Sequence, residues 1–203
     1  MGAQHQTGGL KKRMLRVLRD QEEIARKDDL IFVNVHDNNE SRTVFLRTNY
    51  HCNQACEFCY IDRTLPNHDA ATVLREIQRT ITTSKLPVRM IFTGGEPTLN
   101  PNLKDFCQTA SNLGAHVGVQ TNAVRLADDA VLQPLLKAGL AEAFVSLHGA
   151  SASVGDTITE APGTWAKTLV GVDKLLAGGV QVRLNFVMTH ANAPELEEFA
   201  NLV

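Results

Sequence analysis

Apolar residues recur along this chain with two periods that take turns. Residues 43–48, 88–93, 116–121, 143–147 and 180–188 are short runs rich in strand formers. Between and after them, residues 70–83, 103–113, 128–138, 164–177 and 194–203 carry the spacing of amphipathic helices. Strands alternating with helices of roughly ten to fifteen residues predict right-handed βαβ units and a parallel sheet. Upstream, Leu10, Met14, Leu15, Val17, Leu18 and Ile24 fall at helical spacing among Lys11, Lys12, Arg13, Arg16, Arg19 and Arg26. They predict an amphipathic helix that ends near Asp28 and Asp29, with its basic face in solvent. A short strand over 30–35 and a polar turn over 36–41 complete this preamble.

Composition narrows the class. The chain has 203 residues, 43% hydrophobic and 21% charged, the balance of one folded domain rather than of a disordered segment. A formal charge of -2 gives no bulk electrostatic reason to bind nucleic acid or an anionic membrane, so neither is an expected partner. No stretch approaches a membrane span and no signal-peptide core opens the chain. Met1 and Gly2 begin like a myristoylation site, but Gln6 stands where Ser or Thr is required. The expected compartment is the reducing cytoplasm, where cysteines serve chemistry more often than disulfides.

Of the 4 cysteines, Cys52, Cys56 and Cys59 share one short loop directly after the strand at 43–48. Their C-x3-C-x2-C spacing lets three thiolates ligate three corners of a cubane iron-sulfur cluster. A structural zinc site would need a fourth ligand, which only the distant Cys107 or a neighbouring His could supply. Cys107 falls on the apolar side of a helix and is expected to be a buried small hydrophobe.

In parallel α/β folds ligands bind where strands end, and the other strand ends here are distinctive. The second runs into Thr93-Gly94-Gly95-Glu96-Pro97. Glycines permit close backbone approach and positive φ, and a carboxylate can receive an ammonium group. The third ends in Gln120-Thr121-Asn122 and the fourth in Ser146-Leu147-His148-Gly149, short polar side chains suited to ribose hydroxyls or a carboxylate. On the fifth, alternation puts Arg183, Asn185 and Val187 on one face, where a buried Asn185 would need a ligand or a water as partner.

These motifs, in this order, resemble the radical S-adenosylmethionine (radical SAM) superfamily over roughly residues 43–190. The resemblance implies an α/β fold, a partial TIM-like barrel of parallel strands with outer helices. About five βα units are present, in a core over 42–203 that follows an N-terminal segment over 1–41. It implies that Cys52, Cys56 and Cys59 hold a 4Fe-4S cluster whose open iron is chelated by S-adenosylmethionine (SAM). Phe58 would lie near the adenine, with Tyr60 beside it or packed under the loop. Gly94, Gly95 and Glu96 would receive the SAM amino group, Ser146 would touch SAM, and Thr121, Asn122, His148 and Asn185 would line its pocket. The segment over 148–163 resembles the family's loop after the fourth strand, and departs from it at Val154-Gly155-Asp156.

The implied chemistry is reductive cleavage of SAM to a 5′-deoxyadenosyl radical that abstracts hydrogen from a substrate. An electron donor such as flavodoxin or ferredoxin is implied as a partner. The substrate is not written in these motifs; a small molecule or natural product is expected first and a peptide second. The alternative is a non-catalytic iron-sulfur or zinc-binding module, which leaves Gly94, Gly95, Glu96 and Ser146 without a purpose. A family core of six βα units would need one more strand than is seen here, so the chain is expected to stop part-way through the barrel, unless the strand over 30–35 fills the gap.

Overall fold

The computed structural model describes residues 32–37 and 40–202. The expected helix over residues 10–29 lies outside these. Residues 32–203 form one compact unit around a six-stranded sheet. Its strands are β1 (Phe32–Asp37), β2 (Arg42–Asn49), β3 (Val88–Gly94), β4 (His116–Thr121), β5 (Leu140–Ser146) and β6 (Gln181–Asn185), arranged in chain order. Strands β2 to β6 are parallel, as expected, and the connecting helices are α1 (Ala70–Thr83), α2 (Leu103–Asn112), α3 (Asp129–Lys137), α4 (Ala152–Thr159) and α5 (Thr164–Ala177). A turn of 3-10 helix, Ala193–Glu195, leads into α6 (Leu196–Leu202).

One face of the sheet is sealed by helices. Val44, Leu46, Met90, Phe92, Val117, Val119 and Val145 alternate along their strands and are buried, as are Val73, Ile77, Phe106 and Cys107 of the helices, and the Phe92 and Phe106 rings lie 6.2 Å apart. Cys107 is therefore a core residue, as the helical pattern predicts. The helices start where a side chain can satisfy free amides: Asp69 accepts from Thr72 N at 2.9 Å, and Asp128 accepts from Ala130 N at 2.9 Å.

The opposite face is concave. Phe45 on β2 and Phe144 on β5 bring their ring centroids to 6.4 Å. Two strands separate β2 from β5, so a flat sheet would hold them about 14 Å apart at the usual spacing. The contact therefore requires the sheet to curl into an arc of barrel. At the amino ends of the strands this face is closed by Glu142, whose carboxylate takes Arg89 Nη2 at 2.6 Å and has His116 Nε2 at 3.4 Å.

Several boundaries differ from expectation. Among the described residues, strand β1 covers 32–37, running past the expected end at 35, and pairs antiparallel with β2 on the edge opposite β6, so it does not stand in for a further parallel unit. His36 and Asp37 belong to it rather than to a turn. Strand β5 starts three residues early because Leu140 already pairs with Val117 of β4. Strand β6 stops at Asn185 because Val187 N turns aside to His148 Nδ1 at 3.1 Å. Helix α4 falls in a segment expected to be loop.

Candidate active site

The three cysteines sit on a loop that leaves β2 and is held on two sides. Beneath, Gly95 N donates to Asn49 O at 3.0 Å and Glu96 N to His51 O at 2.8 Å. The Asn49 amide donates to His51 O at 3.0 Å and to Glu96 O at 2.9 Å. A Cβ on Gly94 would lie 2.3 Å from Asn49 O, and one on Gly95 would lie 2.3 Å from His51 O. The glycines are required here by the close approach of two backbone segments, with Gly94 at φ +152°. On the other side, Ala55 N donates to Thr159 O at 2.8 Å and Glu57 N to Ile158 O at 3.2 Å, so the last turn of α4 carries the loop. The Gln54 amide adds a bond to Thr164 Oγ1 at 3.1 Å.

Above the concave face this loop and the strand ends enclose an open hollow of about 150 Å³. Cys52, Cys56 and Cys59 line it, together with Phe58, Tyr60, Gly94, Gly95, Thr121, Asn122, Ser146 and His148. Most of the side chains expected from sequence are thus brought to one place. Gln120, at the third strand end, joins them, and Gln54 and Thr93 line the hollow although the motifs assign them no role. Thr93 and Gln120 lie on the same concave face of β3 and β4 as Ser146 does on β5, so alternation along those two strands points to them.

The electrostatics of the loop are those of thiols in partial burial. Desolvation raises the Cys52 thiol and pushes Cys56 up to about 11, with the other two sulfurs of the loop contributing to the Cys56 shift. The sulfurs thus sense one another. Among the described residues, however, no group of three His, Cys, Asp or Glu converges tightly enough to hold a single metal ion. A cubane does not require such convergence, because its irons are each bound by one cysteine. Cys52 Sγ accepts from Gln54 N at 3.4 Å, the kind of N–H contact that stabilises sulfur bearing negative charge.

Two expectations are corrected and one alternative is settled. Glu96 does not face the hollow; it is fully buried and its carboxylate is already engaged. Oε1 accepts from Thr98 N at 3.0 Å, Thr98 Oγ1 at 2.6 Å and Thr121 Oγ1 at 2.7 Å, and Oε2 accepts from Asn122 N at 2.7 Å. It is a knot between the ends of β3 and β4, which a carboxylate fits because it offers several lone pairs and no donor. Burial raises its pKa and these four bonds pull the other way, with burial the larger effect. Asn185 is exposed on the edge strand and does not line the hollow. Of the two places expected for Tyr60, its 80% exposure excludes packing under the loop, and it lines the hollow instead.

His148 is buried beside Ser146, and the Phe58 ring meets its imidazole edge-on at 4.9 Å. Burial lowers its pKa to about 4, so the ring is neutral at neutral pH. Nδ1 accepts from Val187 N, which leaves the ring proton on Nε2. The departure at 154–156 also has its reason. A Cβ on Gly155 would come within 2.5 Å of the Trp165 ring, and Asp156 accepts from Gly163 N and Trp165 N at 2.6 and 2.8 Å, capping α5.

Residues 46–203 match the radical SAM superfamily. The chain is 25% identical over 154 residues to an AdoMet-dependent heme synthase of Oleidesulfovibrio alaskensis, covering 74% of this chain and 39% of that protein. It is 26% identical over 153 residues to a PqqA peptide cyclase of Gluconobacter oxydans, covering 73% of this chain and 42% of that protein. It therefore spans about two fifths of the length of these relatives. Its fold is similar to that of native anSMEcpe with bound AdoMet, with a TM-score of 0.65 and 16% identity, covering 79% of this chain and 47% of that one. The chain belongs to the radical SAM superfamily, whose members use a 4Fe-4S cluster and SAM.

Proposed function

We propose that this chain holds a 4Fe-4S cluster through Cys52, Cys56 and Cys59 and binds SAM in the adjoining hollow, as the catalytic core of a radical SAM enzyme. The observation that carries this reading is the meeting of three thiols, the Gly94-Gly95 strand end and Ser146 around one cavity. The chemistry the pair supplies when bound is one-electron cleavage of a sulfonium and hydrogen abstraction from a substrate. The protein's part is to bind and orient. Half-buried Ser146 offers its hydroxyl to a ligand, and His148, neutral with its proton on Nε2, offers a donor without adding charge. Phe58, 37% exposed at the rim, offers an apolar face for a flat ring such as adenine.

For the substrate we propose a small molecule or natural product, a reading supported by the similarity to a heme synthase. A peptide is the second reading, supported by the similarity to a peptide cyclase. Flavodoxin or ferredoxin is the proposed electron donor, since exposed Cys59 places one corner of the site within reach of a docked protein.

The test is anaerobic reconstitution with iron and sulfide, then dithionite and SAM. Iron-sulfur absorbance together with 5′-deoxyadenosine is the expected result. A cluster without 5′-deoxyadenosine would favour the electron-transfer module, and zinc in place of iron would overturn both. Cys56→Ala should abolish iron uptake while Cys107→Ala retains it.

A further inference from the structure

Asn122 reaches from the end of β4 to the sulfur of Cys52. Its side chain is buried, and the bonds around it fix which end of the amide is which. Oδ1 accepts from Val124 N at 3.1 Å, so Nδ2 must point the other way, where it donates to Asn53 Oδ1 at 2.8 Å and lies 3.9 Å from Cys52 Sγ. The residue has little freedom to move. Its backbone N–H is taken by Glu96 Oε2, its carbonyl accepts from Thr168 Oγ1 at 2.8 Å, and Ala123 follows in a left-handed turn at φ 58°. With Gln54 N on the same sulfur, Cys52 has two N–H groups directed at it.

An N–H directed at a coordinating thiolate stabilises its negative charge, and a reduced cluster carries more negative charge than an oxidised one. Such donors therefore raise the reduction potential and fix the ligand's direction. We infer that Asn122 is a positioning residue for Cys52: fastened by the Glu96 knot, its amide aims the Cys52 sulfur and raises the potential of the cluster. This inference rests on the cluster assignment proposed above. It gives Asn122 a role toward the cysteine loop that is separate from lining the SAM pocket, and it links a fully buried carboxylate to the redox centre through one side chain.

The test compares wild type, Asn122→Ala and Asn122→Asp after reconstitution. Iron and sulfide content, melting temperature and the midpoint potential from an EPR-monitored titration are read without SAM or substrate. Asn122→Asp keeps the size and the acceptor for Val124 N but loses the N–H donors and adds negative charge. Loaded Asn122→Ala is expected to have a more negative midpoint potential and altered g-values, and Asn122→Asp a larger shift in the same direction. Wild-type potentials in both loaded variants would overturn the inference alone. A fall in melting temperature with no change in potential would also overturn it, by reducing Asn122 to a structural part. Failure of the wild-type chain to take up a cluster would overturn the functional reading and this inference together.

Discussion

The backbone N–H of Ala55 donates to the carbonyl oxygen of Thr159 across 2.8 Å, so the middle of the cysteine loop hangs from the end of a helix 104 residues further along the chain. That helix, α4, is short and owes its seat to the Trp165 indole lying in the space Gly155 leaves, with Trp165 Nε1 donating to Gly149 O at 2.8 Å.

Filling that space should therefore reach the cysteines. Gly155→Val is expected to lower stability by about 1–3 kcal/mol through overpacking and to reduce iron uptake per mole of folded protein. Thermal unfolding and iron assay on the same preparation check both. Full iron uptake in a destabilised protein would show that the loop does not depend on α4.

The Glu96 knot predicts a structural penalty. Gln in place of Glu96 turns one acceptor oxygen into an NH2 that meets donors, so Glu96→Gln should cost about 2–3 kcal/mol in urea unfolding. Ser146→Ala, which touches none of this network, should unfold like wild type and lose SAM affinity instead. Unchanged stability in Glu96→Gln would argue that the carboxylate is free for ligand.

His148 gives a pH dependence of definite sign. Its folded pKa of about 4 lies below the ordinary 6.5, so the unfolded chain takes up its proton first. The stability it contributes is complete above pH 6.5 and is lost as pH falls through 4, by roughly 3 kcal/mol in all. His148→Gln should flatten the decline within that window, measured as the difference in unfolding free energy between variant and wild type. Parallel curves would refute it.

Removing the carboxylate at the closed end of the concave face should be costly. Glu142→Ala leaves Arg89 partly buried without its partner and is expected to destabilise by about 3–5 kcal/mol, whereas the apolar pair Arg89→Met with Glu142→Leu should recover most of that. Chemical denaturation of both variants checks the contrast.

The parallel strands and the helices that cover them were legible because their residues obey two simple periods, and the cysteine loop was legible because its spacing is tied to its chemistry. Helix α4 was hidden because Gly155 and the β-branched Val154, Thr157, Ile158 and Thr159 have poor helix propensity; the stabilising partner, Trp165, lies outside the segment. The direction of Glu96 was hidden for a related reason. A carboxylate after two glycines looks available for a ligand until Thr98, Thr121 and Asn122 are seen converging on it. Asn185 was misjudged because alternation assigns a face but not a cover: Ser146 is half-buried while Asn185, its register partner on the edge strand, is exposed.

The contact between Gly94-Gly95 and the backbone of residues 49–51 also bears on how such a site could be moved. The cysteine loop is not a portable ten-residue cassette, because its base is shaped to a glycine pair that arrives some forty residues later. Engineers grafting it onto another α/β scaffold would have to carry residues 49–59 and 94–96 together, with the register between their two strands kept, and supply the backbone acceptors that Ile158 and Thr159 provide.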